Sequence, residues 1–174
     1  CNRKCSFCPR SDPNYQHINE FISFDLHKKL CDQLKEVNYS GLIIYSGFVE
    51  PLLDTNIYNL INYAKLTLPK SSVEIISNGD VLNENRLKKL YQSGLDRIQI
   101  SLYDGLEQHK KFIELGKKLK LDSKKYVLRA RYLSEEEDFG ITLSNRGGTL
   151  ENAEYKIMPT KKKLNKKCFY PGYK

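Results

Sequence analysis

The sequence predicts an α/β fold on a parallel sheet, in the form of a partial barrel whose first strand is missing. Three observations predict it. Short apolar runs at 42–45, 73–77, 97–102 and 126–133 alternate with amphipathic helical stretches over short connections, which means parallel strands joined by right-handed crossovers. An open doubly wound sheet satisfies that alternation as well as a barrel does, so strand chemistry has to choose. In 97–102, Ile98, Ile100 and Leu102 share one face and Arg97, Gln99 and Ser101 the other; further on, Arg129 and Arg131 project opposite Leu128 and Ala130. Helices cover the apolar faces, so the polar faces point into a wet lumen. A closed eight-stranded barrel fills its lumen with Val, Ile and Leu. Two arginines there favour a roomier, partly open barrel holding an anionic ligand, the alternative being an internal ion pair, for example with Glu74. Third, a polar loop with three cysteines comes just before the first helix, where a loop following an earlier strand would emerge.

The elements follow in order. Leu26, Leu30, Leu34 and Val37 recur at helical spacing behind a Ser23 cap and predict a helix over 24–37 with those residues inward; Cys31 beside them reads as a small buried hydrophobe. Leu42 to Tyr45 reads as a strand buried on both faces, ending in the loop Ser46 to Pro51. Ile57, Leu60, Ile61 and Ala64 mark a helix over 55–68 that Pro69 stops. The strand 73–77 ends at Asn78-Gly79. Asn83 caps a helix that buries Leu87 and Leu90 and stops at Gly94. After the strand 97–102, a helix over 106–119 turns Phe112, Ile113 and Leu119 inward, and a strand over 126–133 closes the series. Beyond Leu133 the alternation fails; the division expected is a core over 1–150 and a basic, Pro-punctuated linker over 151–174.

The 174 residues, 40% hydrophobic, suffice for one core. No apolar run approaches the roughly 18 residues of a membrane span, and no basic-apolar-small stretch reads as a signal peptide. Five cysteines, three crowded into Cys1-x3-Cys5-x2-Cys8, make a poor disulfide framework and fit a metal site in a reducing, cytoplasmic setting. The net charge of +8 reads as a Lys-rich solvated surface; nucleic-acid binding is the alternative. The chain opens at Cys1 rather than Met, so a piece of a longer protein is expected.

In parallel α/β folds ligands bind at the carboxyl ends of strands. Here those ends carry Ser46 to Glu50, Ser77-Asn78-Gly79, Ser101, and Arg129 with Arg131, and the cysteine loop meets them on the same rim. The cysteine triplet on a loop before a helix, followed by Gly47-Phe48-Val49-Glu50-Pro51 after the next strand, resembles the radical S-adenosylmethionine superfamily. That resemblance implies a partial parallel (β/α)6 barrel. It also implies a [4Fe-4S] cluster on Cys1, Cys5 and Cys8, with the fourth iron left for S-adenosyl-L-methionine. A one-electron reductant such as flavodoxin or ferredoxin drives reductive cleavage to a 5′-deoxyadenosyl radical, which takes hydrogen from a peptide or small-molecule substrate. The resemblance puts Phe7 near the adenine and Gly47, Val49 and Glu50 in the segment that meets the amino group. Asn78 falls in a TNG-like motif, Ser101 near the ribose or carboxylate, and Arg129 or Arg131 on the carboxylate. Val49 stands where glycine is usual, which matters only if its φ must be positive. Asn145 to Gly148 with Cys168-Phe169-Tyr170-Pro171 resembles the approach to a SPASM-type extension. The readings set against this are an inactive relic of the fold, a structural zinc site completed by Cys31, Cys168, His17 or His27, and a nucleic-acid-binding protein.

Overall fold

The structure is a computed structural model that describes residues 1–5, 8, 10, 15–16 and 18–133. Phe7, His17, Asn145 to Gly148, Cys168 and the expected linker over 151–174 lie outside the described residues. The chain divides into two compact units, one of Cys1–Asn2 with Ile18–Ile141 and one of Arg3–His17 with Thr142–Lys174.

In the larger unit, helix α1 spans Phe24–Glu36 and strand β1 Leu42–Tyr45. A single 3-10 turn at Pro51–Leu53 leads to α2, Ile57–Thr67. Then follow β2 (Ser72–Ser77), α3 (Glu84–Gln92), β3 (Arg97–Leu102), α4 (Leu106–Lys118) and β4 (Tyr126–Ala130). The caps are those the sequence indicates. Ser23 Oγ accepts from Leu26 N at 3.2 Å, Asn83 Oδ1 accepts from Arg86 N at 2.9 Å, and Gly94 leaves α3 at φ 100°.

All four strands are parallel and lie in the order β1-β2-β3-β4. Because strand order follows chain order, right-handed crossovers keep the helices on one face, the topology of a barrel wall and not of a doubly wound sheet, whose order reverses. The register shows which face that is. Val73, Ile75, Ile98, Ile100 and Leu102 are fully buried beneath the helices, with Leu60, Ile61, Leu87, Leu90 and Phe112 against them. The opposite face carries Ile44, Glu74, Arg97, Gln99, Ser101 and Arg129 in register with one another.

Four expectations need correction. The inward face of α1 is His27 and Cys31, with Leu34 partly buried, while Leu26 and Leu30 are about half exposed at 50% and 45% and Val37 more so. The two stripes are neighbours on the helix, and aromatic partners select between them: His27 stacks on Tyr45 and meets Tyr63 edge-on. Among the described residues β1 is the outer strand of the sheet and only one of its faces is covered by helices, so Leu42 and Ile44 stay 41% and 46% exposed. Ile113 sits beside the buried Phe112 but half out of the core. Finally, β4 ends at Ala130, so Arg131 lies past the strand, although its N–H still reaches Leu102 O at 2.7 Å.

Candidate cofactor site

The loop from Ser46 to Glu50 leaves β1 through Gly47, at φ 126° in the left-handed range that glycine tolerates. Among the described residues other than glycine, positive φ occurs at Asn38 and Lys120 and not at Val49. A side chain at position 49 is therefore compatible with this backbone, and the valine costs no strain.

Glu50 fastens that loop. Its carboxylate is only 4% exposed and accepts three hydrogen bonds: from Leu52 N at 3.1 Å, Ser77 Oγ at 2.8 Å and Asn78 N at 2.8 Å. Burial pushes its carboxyl above the ordinary range; the bonds from Asn78, Ser77 and Leu52 work against that shift, and the charge of Asp80 adds to it. Ser77 Oγ in turn accepts from Gly79 N at 2.9 Å. Glu50 thus joins the end of β1 to the end of β2, and its side chain has little capacity left for a ligand.

The β2 end also reaches the chain's first residues. Asn78 Nδ2 donates to Asn2 Oδ1 at 2.8 Å and lies 4.0 Å from Cys1 Sγ. Asn78 Oδ1 accepts from Asp80 N at 2.9 Å, and Asn2 Nδ2 donates to Asp80 Oδ2 at 3.0 Å. Asn2 and Asp80 are site residues that sequence reasoning did not single out. The only available signal was that Asn2 adjoins Cys1.

On the lumen face, Glu74 is paired with Arg97, whose Nε donates at 2.7 Å, so the partner considered for Arg129 or Arg131 is already engaged by another arginine. Ser101 and Arg129 stand side by side in register. Among the described residues neither Arg129 nor Arg131 has an ion pair, and both are half-buried. A half-buried guanidinium beside a buried hydroxyl suits a carboxylate or phosphate oxygen.

Cys5 and Cys8 lie in the smaller unit, in one turn closed by Cys8 N to Cys5 O at 2.9 Å. Cys1 is exposed, and Cys5 and Cys8 are half-buried. Among the described residues no group of three His, Cys, Asp or Glu side chains is gathered as a ready metal cage. The donor set nevertheless fits an iron–sulfur cluster by its chemistry: three thiols within eight residues, two of them in a single turn. His27 belongs elsewhere. It is buried, with Nε2 2.8 Å from Tyr45 Oη and the Cys31 sulfur 3.8 Å from the ring nitrogens, and burial lowers its pKa. No described helix is long and apolar enough to cross a membrane.

Comparison with known proteins places this rim in a family. The sequence profile of the Radical SAM superfamily matches residues 1–131. The S-adenosyl-L-methionine-dependent 2-deoxy-scyllo-inosamine dehydrogenase of Niallia circulans is 30% identical over 172 residues, 99% of this chain and 63% of that protein. The probable GTP 3′,8-cyclase of Methanococcus maripaludis is 34% identical over 118 residues, 67% of this chain and 38% of the relative. Among solved structures, the crystal structure of BtrN in complex with AdoMet and 2-DOIA matches with a TM-score of 0.71 at 28% identity, over 87% of this chain and 58% of that one. The chain thus spans less than two thirds of the length of these relatives. It belongs to the Radical SAM superfamily.

Proposed function

We propose that this chain works as a radical S-adenosylmethionine enzyme on a small polar alcohol, which it dehydrogenates. The observation that carries this reading is the similarity to the Niallia circulans dehydrogenase, which runs over 172 residues, 99% of the chain. Cys1, Cys5 and Cys8 would hold a [4Fe-4S] cluster. When bound, the cluster supplies one electron to the sulfonium of S-adenosyl-L-methionine, giving the 5′-deoxyadenosyl radical that removes hydrogen from a substrate carbon.

The chain's own residues bind and orient. Arg129 or Arg131 pairs with the cofactor's carboxylate and Ser101 hydrogen-bonds beside it. The backbone from Gly47 to Val49, fastened by Glu50, would meet the amino group, and Phe7 is the residue that the family resemblance assigns to the adenine. The substrate carbinol loses its hydrogen atom to the radical, its hydroxyl proton to solvent and one further electron to an acceptor. A SPASM-type auxiliary iron–sulfur centre with Cys168 among its ligands is the acceptor class that the C-terminal motif suggests. A reductant of the flavodoxin or ferredoxin kind supplies the starting electron.

Anaerobic reconstitution tests the cluster. About four irons and four sulfides per chain, lost in Cys5→Ala, are expected, and stoichiometric zinc would overturn it. Deuterium passing from the carbinol carbon of an amino-cyclitol into 5′-deoxyadenosine would establish the hydrogen transfer. 5′-Deoxyadenosine formed without deuterium from any such alcohol would reject this substrate class.

A further inference from the structure

Asn78 is 7% exposed, and its polar atoms are engaged on two sides. Its backbone N–H goes to Glu50, while its carboxamide faces the first residues of the chain. A carboxamide has two N–H groups. One donates to Asn2 Oδ1 at 2.8 Å; the nitrogen that carries both lies 4.0 Å from Cys1 Sγ, near the outer limit of a hydrogen bond to sulfur. Asn2 is held from its other side by Asp80 Oδ2 at 3.0 Å, and Asp80 is oriented by its own N–H on Asn78 Oδ1. The ring Asn78–Asn2–Asp80 is closed, and Cys1 is covalently attached to it.

We propose that this ring is a clamp that positions Cys1 as a cluster ligand, with the Asn78 carboxamide supplying an N–H to the Cys1 sulfur. The inference rests on reading Cys1 as a ligand of the cluster. Residue type and burial argue for it. Cys1 is exposed while Asn78 is 7% exposed; a ligating thiolate carries negative charge that grows when the cluster is reduced, so a neutral donor on a buried, fixed side chain stabilises the reduced form more than the oxidised one and raises the reduction potential. A carboxylate at position 78 would do the reverse. Groups that orient metal ligands without touching the metal are commonly worth about tenfold or more in metal retention. Asn78 is thus a positioning residue. Because its N–H also holds Glu50, one residue fastens both the ligand segment and the loop after β1.

The test uses the full chain, reconstituted anaerobically, with iron, sulfide and the cluster's midpoint potential measured by titration followed by electron paramagnetic resonance. Asn78→Asp keeps the acceptor for Asp80 N and removes the donor; its potential should move to more negative values. Asn2→Ala alters an exposed residue and should leave the circular dichroism and the thermal midpoint unchanged while iron retention falls about tenfold. If Asn78→Asp does not fold, Asn2→Ala decides alone. Variants that load fully and keep the potential of the unsubstituted chain would overturn the clamp and leave the cluster reading standing, and so would a lower thermal midpoint with an unchanged potential. An unsubstituted chain that binds no iron removes the cluster reading, and the clamp falls with it.

Discussion

At the carboxyl ends of β1 and β2 the polar side chains are committed to one another, whereas at the end of β4 Arg129 has no ion pair among the described residues. Glu50 takes three donors, Ser77 both gives and accepts, and Asn78 is engaged through backbone and side chain. Across the sheet, Ser101 stands in register beside Arg129, while Arg97 is paired with Glu74. The contrast separates two kinds of buried polarity. A saturated network fixes backbone geometry; a half-buried cation with open capacity costs solvation and gains nothing until a ligand arrives.

Breaking the saturated side should cost most. Glu50→Ala orphans the N–H groups of Leu52 and Asn78 and the Ser77 hydroxyl together, an expected loss of about 4 kcal/mol of unfolding free energy in urea denaturation. A loss below about 1 kcal/mol would show that water can replace the carboxylate. Gly79→Ala comes next. The glycine has φ 77°, and an added Cβ would lie 2.7 Å from Phe112 Cζ and 2.9 Å from Ile100 Cγ2, so about 3 kcal/mol is expected by the same measurement.

The open side should respond in binding and not in folding. Arg129→Ala is expected to weaken S-adenosyl-L-methionine binding to the cluster-loaded chain by about 2 kcal/mol in calorimetry, while stability stays within about 0.5 kcal/mol. A loss of stability without a loss of affinity would move Arg129 into the structural class.

Smaller still is a pH effect on the saturated side. Burial holds the Glu50 carboxyl above its ordinary value, so the folded chain binds that proton more tightly than the unfolded one. The resulting stabilisation is complete below the usual glutamate pKa of about 4.3 and is lost as pH rises through the raised folded value. Relative to Glu50→Gln, the chain should therefore lose stability over that window and level off above it; a flat difference would contradict the shift. Val49→Gly should do least. The backbone there does not need glycine, so affinity should change by less than about 1 kcal/mol.

The elements legible in the sequence were those whose signal is local. Ser23, Asn83 and Gly94 mark helix ends through bonds to the nearest turn, and the spacing of Ile57, Leu60, Ile61 and Ala64 fixes the buried face of α2. The buried face of α1 was not legible, because Leu26 and Leu30 outrank His27 and Cys31 in hydrophobicity and only the ring packing of Tyr45 and Tyr63 reverses the choice. Alternation placed Arg97, Gln99 and Ser101 on the lumen face correctly. It could not say which arginine Glu74 would take, since that depends on the register between β2 and β3. Asn2 and Asp80 escaped notice because bonds between residues so far apart in sequence leave no periodic trace.

The monotonic strand order has a consequence in time. Among the described residues each of β2, β3 and β4 pairs with the strand made just before it, Leu42 with Ser72, Glu74 with Arg97 and Ile98 with Tyr126. Each closure spans one helical crossover. Of the four described strands, a ribosome releases β1 and β2 before β3 and β4. The Glu50 latch could therefore set before the edge bearing Arg129 had been synthesised.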